Sequence, residues 1–211
     1  MTDLLNSDLL RKKLRLQRQS LSDAQQLHHA QQAKQYLHDF LIHFQNSTAQ
    51  KTLNIAFFLA QDGEMPTAQA IEMLWQSSPY TLFLPILKST PHDGHMVFAE
   101  YTPNSPMKPN QFGILEPSLN HPLPITGKEL DIVLTPLVGF DSSGNRMGMG
   151  GGYYDRTFQF KQQSSKISSP RLIGWAHSCQ QVTQLPTNFW DIPLNGVITE
   201  MGLMNFNVDK T

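Results

Sequence analysis

Leu134-Thr-Pro-Leu-Val-Gly-Phe-Asp-Ser-Ser-Gly-Asn-Arg-Met-Gly-Met-Gly-Gly-Gly-Tyr-Tyr-Asp155 sets the frame for the rest of the chain. The apolar run Ile132 to Leu134 reads as a buried strand. It leaves through Pro136 into a turn-rich loop, Asp141 to Asn145, and meets five glycines between Gly144 and Gly152. Tyr153 to Gln163 can start a helix with Asp155 in its first turn. A strand, a glycine-rich loop and a helix start make an anion cradle. Glycine allows close backbone approach and φ > 0, and the unpaired N–H groups of the helix start favour negative charge. Arg146 adds a planar fork suited to phosphate or carboxylate. The glycines taken alone fit a sharp turn or close packing equally well. Two better-known phosphate motifs are excluded: no lysine lies between Lys128 and Lys161 to complete a P-loop, and Tyr153 stands where a dinucleotide fingerprint needs its last glycine.

Working outward, residues 8 to 19 have a basic helical pattern, and Ser22 with Gln25 is a capping box that opens a second helix. Leu27, Ala30, Ala33, Leu37, Phe40, Leu41 and Phe44 recur at helical spacing and predict one buried face. Leu53 to Leu59 is a continuous apolar run, predicting a strand buried on both faces. Pro66 marks a helix start, and Tyr80 to Leu84 and Met96 to Tyr101 read as further strands. The proline-rich segment from Thr102 to Lys128 reads as a long functional loop crossing the surface. Leu130 to Leu137, Arg171 to Ala176 and Gly196 to Thr199 supply the remaining strands, with a surface connection over Ser164 to Pro170. Alternating strands and helices predict a single α/β domain over residues 1–211. Its core over 53–200 is an open, mostly parallel twisted sheet covered by helices on both faces, with N-terminal helices over 1–45. Open sheets of this kind bind ligands beyond the carboxyl ends of their strands. Gln61 to Glu64, residues 136 to 155 and the turn near Asp191 all fall there, which predicts one cleft.

Composition restricts the function classes. Hydrophobic residues make up 39% and charged residues 16% of 211, values of a globular protein. A formal net charge of −1 provides no global field for nucleic acid or an anionic membrane. Cys179 is the only cysteine, so an internal disulfide and a cysteine-based zinc site are excluded. No apolar run approaches the ~20 residues needed to span a bilayer. The N-terminus carries acidic residues and no basic region before an apolar core, so a cytoplasmic protein is expected, with no nucleic-acid, membrane or obligatory protein partner.

The run Asn145-Arg-Met-Gly-Met-Gly-Gly-Gly-Tyr-Tyr-Asp155 closely resembles the signature of the 5-formyltetrahydrofolate cyclo-ligase family, also called methenyltetrahydrofolate synthetases. Thr135-Pro-Leu-Val-Gly-Phe-Asp141 resembles its strand exit, and Phe58-Leu-Ala-Gln-Asp-Gly-Glu64 its folate-contacting segment. Trp190-Asp-Ile-Pro-Leu194, followed by Val197-Ile-Thr199, resembles its C-terminal block. The order and spacing agree from about residue 8 to about residue 200. The resemblance implies ATP- and Mg²⁺-dependent cyclisation of 5-formyltetrahydrofolate to 5,10-methenyltetrahydrofolate with release of ADP and phosphate.

What the resemblance implies for individual residues stands beside plainer readings. It places ATP along Arg146, Met147, Gly148, Met149, Gly150, Gly151, Gly152, Tyr153 and Tyr154, with Arg146 and Tyr154 closest to the chemistry. It places folate against Leu59, Glu64 and the stretch Met149 to Tyr154, and metal carboxylates at Asp155 and Asp191. Asp155 reads otherwise as a first-turn acid favouring the helix dipole. In the basic run Arg11, Lys12, Lys13, Leu14, Arg15, the family's nucleotide contacts match at Leu14 and Arg15. The first position is Arg11, so Arg11, Lys12 or Lys13 supplies that charge. Met149 and Gly151 stand where relatives can carry arginine or lysine, and neither offers a charge. Phe112, in the long loop, is a candidate to stack on the pterin. His28 and His29, His92 and His95, and His177 with Cys179 receive no role. A sugar-phosphate isomerase or acyl-transfer enzyme on a related sheet, and a non-catalytic folate or nucleotide binder, are the alternative readings.

Overall fold

The computed structural model describes residues 2–48, 50–77, 79–87, 95–118, 123–162 and 170–206. The His92 end of the His92-to-His95 turn and the surface connection expected over 164–169 lie outside the described residues. In chain order the elements are α1 (Thr2–Gln19), α2 (Asp23–Ser47), β1 (Leu53–Ala56), α3 (Ala68–Trp75), β2 (Tyr80–Leu87) and β3 (Met96–Glu100). Two short strands follow, β4 (Met107–Pro109) and β5 (Leu115–Pro117), and then β6 (Ile132–Thr135). A small hairpin of β7 (Gly139–Phe140) and β8 (Arg146–Met147) leads to α4 (Tyr153–Phe158). The chain closes with β9 (Arg171–Trp175), β10 (Gly196–Thr199) and β11 (Gly202–Asn205).

The sheet has seven strands in the order β11-β10-β9-β6-β1-β2-β3. The five inner strands run parallel, and each edge pair, β2 with β3 and β10 with β11, is antiparallel. This is the mostly parallel α/β sheet expected. Every residue of β6 and of β10 is buried, as the unbroken apolar runs required. The two-residue period sorts them between two cores. Ile132 and Leu134 join Leu53, Ile55, Ile173 and Trp175 on the face covered by α2 and α3. Val133 turns to the other face with Leu172, Val197 and Phe158 of α4.

α2 begins at the expected capping box: Gln25 N donates to Ser22 Oγ at 3.3 Å, and Ser22 N donates to Gln25 Oε1 at 2.9 Å. Ala30, Ala33, Leu37 and Leu41 form its buried stripe, whereas Leu27, one turn before Ala30, is half exposed.

Several boundaries differ from the sequence reading for physical reasons. The first strand ends at Ala56 instead of Leu59. Phe57 N still donates to Phe83 O at 2.9 Å, but the Phe58 carbonyl accepts from Thr67 Oγ1 at 2.8 Å as the chain peels away. α3 starts at Ala68, one residue beyond Thr67, so Pro66 precedes the helix and does not open it. β2 runs on to Leu87 through Pro85, because beyond Ala56 it has no strand neighbour on the side of β1 to need the missing N–H. Of the helix expected over 153–163, the described residues form a six-residue α-helix followed by a 3₁₀ turn ending at Gln162, and Gln163 lies outside them. The segment over 102–128, expected as a loop, contains the β4–β5 hairpin, whose tip is organised by Asn110: its Oδ1 accepts from Phe112 N and Ile114 N.

β10 and β11 pack so closely that a Cβ at Gly196 would lie 2.8 Å from the Met204 carbonyl oxygen, a backbone atom that cannot rotate away. Gly196→Ala is therefore expected to destabilise the protein by about 1–3 kcal/mol in equilibrium urea unfolding. An unchanged midpoint would contradict this pairing of β10 with β11.

Candidate functional site

Adjacent parallel strands β1 and β6 send their chains to opposite faces of the sheet, β1 toward α3 and β6 toward α4. A crevice opens between such loops at a switch point. A cleft of about 570 Å³ lies there, walled by the loop after β1, the far end of β2, the β4–β5 tip, the glycine loop and Arg18. Its size suits a small-molecule ligand.

The loop after β1 is a tight left-handed turn. Glu64 N donates to Gln61 O at 2.9 Å across Asp62 (φ 54°) and Gly63 (φ 73°). A side chain at Gly63 would meet the backbone of Gln19 at 3.1 Å. Asp62 is the only described non-glycine residue with positive φ, a conformation with a cost that its surroundings must offset. Its carboxylate accepts from Arg15 (Nε 2.8 Å, Nη2 3.1 Å), from Arg18 Nη2 (2.8 Å) and from Gln19 Nε2. The Arg15 hydrogen bond, with help from Arg18 and Gln19, outweighs burial and holds the Asp62 carboxyl down at about 2.

Arg18 is wholly buried. It donates to the Asp62 carbonyl (2.9 Å) and to the Leu137 carbonyl (3.0 Å), and lies 3.6 Å from Glu64 Oε1. One guanidinium thus ties together the loops that follow β1 and β6. Glu64 accepts from Gln61 N at 3.0 Å. Burial pushes its carboxyl above the usual range, the Gln61 bond and Arg18 pull it down, and the Asp62 charge adds to the rise.

In the glycine loop, Asp141 folds the β7–β8 turn by accepting from Ser143 N, Asn145 N and Asn145 Nδ2, and from Leu185 N across the chain. Arg146 then projects into the cleft wall. It pairs with Asp155 at 2.6 Å and donates to the Ile192 carbonyl, while Ile192 N donates to Asp155 Oδ1 at 3.1 Å. Around Gly148 and Gly150 there is open space, and Gly150 (φ 98°) and Gly152 (φ 64°) use the left-handed region. With only six residues in α4, the cradle rests on loop amides and arginines more than on a helix dipole. Tyr154 lies within the field of both Glu64 and Arg146. Burial first, then the Glu64 charge, raises its hydroxyl far above its ordinary value against the pull of Arg146, so it stays a proton donor.

The structure brings together Leu59, Glu64, Arg146, Gly148, Met149, Gly151, Gly152, Tyr153, Tyr154 and Asp155 on one cleft. Phe112 joins them, its ring 6.5 Å from that of Tyr153 in an edge arrangement. Arg11 reaches the glycine loop, donating to the Gly148 carbonyl at 3.0 Å. Lys12 and Lys13 are exposed, in a shallow depression with Leu9, Leu16 and Gln17 away from that loop. Leu14 and Met147 are buried together with Val138 and Leu185 and serve packing. Asp191 does not line the cleft: its carboxylate accepts from Asn188 N at 2.7 Å, and its neighbour Ile192 makes the contact with Asp155.

Arg18, Asp62 and Arg156 are the residues that sequence reasoning missed. Arg11, Arg15 and Arg18 recur at helical spacing on one face of α1, a signal that could have singled out Arg18. Arg156 donates to the Gly151 carbonyl at 2.6 Å and lies over the Tyr153 ring.

A profile of the 5-formyltetrahydrofolate cyclo-ligase family matches residues 6–200. The chain is 47% identical over 146 residues to a 5-formyltetrahydrofolate cyclo-ligase of Haemophilus influenzae, covering 69% of this chain and 74% of that protein. It is 42% identical over 145 residues to one of Escherichia coli, covering 69% and 76%. A solved 5,10-methenyltetrahydrofolate synthetase of Mycoplasma pneumoniae superposes with a TM-score of 0.68 at 25% identity, over 92% of this chain and 98% of that one. The synthetase of Aquifex aeolicus shares the fold, with a TM-score of 0.69 at 24% identity over 97% and 95%.

The Asp62 clamp carries a pH signature. Its folded value, about 2, is below the unfolded 3.8, so the stability it provides is present above about pH 4 and lost as pH falls through about 2. Asp62→Asn is expected to be less stable at neutral pH and to show a flatter acid-unfolding profile between about pH 4 and 2. Parallel profiles for the two proteins would contradict the clamp.

Proposed function

Since the chain belongs to the 5-formyltetrahydrofolate cyclo-ligase family, we propose that it uses ATP to cyclise 5-formyltetrahydrofolate to 5,10-methenyltetrahydrofolate, releasing ADP and phosphate. The observation that carries this reading is the convergence of Glu64, Tyr154 and Arg146 on a single cleft beside the glycine loop. An amide-like formyl oxygen is a poor leaving group. The formyl oxygen takes the γ-phosphoryl group of ATP and ADP departs. N10 attacks the formyl carbon of the resulting iminium phosphate, closing the ring and losing its proton, and phosphate then departs to leave the 5,10-methenyl bond. The protein contributes position and charge neutralisation more than covalent chemistry.

Glu64 is the acceptor for donor groups of the pterin ring, and Leu59 and Phe112 supply apolar surface beside it. Arg146 and the loop amides from Gly148 to Gly152 neutralise the transferring phosphoryl group, and Tyr154 donates a hydrogen bond to the reacting oxygens. Arg11 and Arg15 flank the nucleotide side. Asp155, a partly exposed carboxylate at the cleft wall, suits Mg²⁺, which takes oxygen ligands and is commonly held by one or two carboxylates with phosphate oxygens. Asp191, outside the cleft lining but next to the Ile192 that touches Asp155, would have to swing off Asn188 N to serve as the second carboxylate, and the bound ion would neutralise phosphate charge. Residues 1–211 act in this proposal as one catalytic domain; among the described residues no helix is long and apolar enough to cross a membrane.

Incubation with 5-formyltetrahydrofolate and MgATP is expected to give growth of the methenyl chromophore and equimolar ADP, neither appearing without ATP. Product formation without ADP would point to a different reaction class. Arg146→Ala is expected to lower kcat by about 10²-fold or more, and full turnover in that variant would refute its role. Glu64→Gln is expected to raise the folate KM with a smaller change in kcat; an unchanged KM would remove Glu64 from the folate pocket.

A further inference from the structure

Behind the Asp62-Gly63 turn, and outside the cleft, His29 of α2, His177 after β9 and Glu200 after β10 meet. Their donor atoms all lie within 4.8 Å of one another. His29 Nδ1 and His177 Nδ1 are 2.9 Å apart, and His29 Nδ1 is 3.7 Å from Glu200 Oε2. His177 is fully buried, Glu200 is 8% exposed, and the His29 side chain keeps 19% exposure, so the cluster is shielded but reachable from solvent along α2. We propose that His29, His177 and Glu200 form a binding site for a divalent first-row transition cation such as Zn²⁺.

The donor chemistry selects that class. Two imidazole nitrogens and a carboxylate suit Zn²⁺ and its neighbours in the row, whereas Mg²⁺ prefers an all-oxygen set. With Zn–N and Zn–O bonds of about 2.0–2.2 Å, tetrahedral ligands stand roughly 3.3 Å apart. The separations in the cluster bracket that value, so side-chain adjustment suffices. Two Nδ1 atoms facing each other must otherwise share a proton, and a cation replaces it.

The surroundings hold the three ligands in place. Ser178 N donates to Glu200 Oε2 at 3.0 Å, and its hydroxyl donates to Oε1. His177 N donates to Gln180 Oε1 at 2.9 Å, fixing the backbone from which the ring projects. Outer-shell donors such as those of Ser178 orient metal-binding carboxylates. The other ring nitrogen of His177, Nε2, is buried without a hydrogen-bond partner. Arg18, whose charge acts on His177, is already paired with Asp62 and Glu64. A bound ion would tie α2 to the ends of β9 and β10 and brace the back of the Gly63 turn.

The test is titration of chelator-stripped protein with Zn²⁺ against a chromophoric chelator, beside His29→Gln and Glu200→Gln, with Co²⁺ absorption reporting ligand geometry. Wild type is expected to take up about one equivalent and to unfold at higher temperature with Zn²⁺ present. His29→Gln, altered at a partly exposed helix position, is expected to fold normally, to lose affinity by more than about tenfold and to lose the thermal shift. Wild type that binds no Zn²⁺, or His29→Gln with unchanged stoichiometry and affinity because the ion sits on surface histidines such as His28, His38 or His43, would overturn the proposal.

Discussion

The buried guanidinium of Arg18 is the contact on which the cleft depends. A charge with no solvent exposure is tolerated only when its donors are satisfied and its charge is balanced. Arg18 meets both conditions by drawing in the Asp62 carboxylate, the Asp62 and Leu137 carbonyls and the nearby Glu64. Because Asp62 and Leu137 follow neighbouring strands that diverge to opposite faces, satisfying one side chain of α1 fixes the width of the opening between them. It also places the N-terminal helix over the site, so that Arg11 and Arg15 arrive at the glycine loop and the Asp62 turn from the same face.

From that constraint the electrostatics of the cleft follow. Asp62 absorbs most of the positive charge and remains ionised, which leaves Glu64 in a more apolar position with a raised affinity for its proton. Arg146 is held by Asp155 and the Ile192 carbonyl across the cleft wall. Tyr154, between Glu64 and Arg146, keeps its proton. The arrangement offers an acceptor at one end, a cation at the other and a neutral donor between them. That order suits a polar heterocycle held beside a phosphoryl group in transfer.

The central strand, glycine loop and short helix were legible because their signals are local: an apolar run, glycines that must adopt positive φ, and a helix start at Tyr153. Ser22 with Gln25 announced α2 in the same way. Local signals failed where partners at long range decide. The apolar run through Leu59 leaves the sheet at Ala56 because the Phe58 carbonyl pairs with Thr67 and the chain must reach the Asp62 turn. The β4–β5 hairpin was hidden by its prolines, which an edge ribbon tolerates. Arg11, Lys12 and Lys13 are equivalent as residue types, and only the direction in which α1 lies on the glycine loop separates them. The spacing of Arg11, Arg15 and Arg18 marks one face of α1, but only the tertiary packing encloses the last of the three.

The most direct test is calorimetric titration of 5-formyltetrahydrofolate into wild type and Arg18→Lys, with near-ultraviolet circular dichroism confirming that the variant is folded. Lysine keeps the charge but cannot span Asp62 and Leu137 with a planar fork. Folate affinity is expected to fall by about tenfold or more, from the loss of charged hydrogen bonds that set the loop. A folded Arg18→Lys protein that binds folate as tightly as wild type would contradict this.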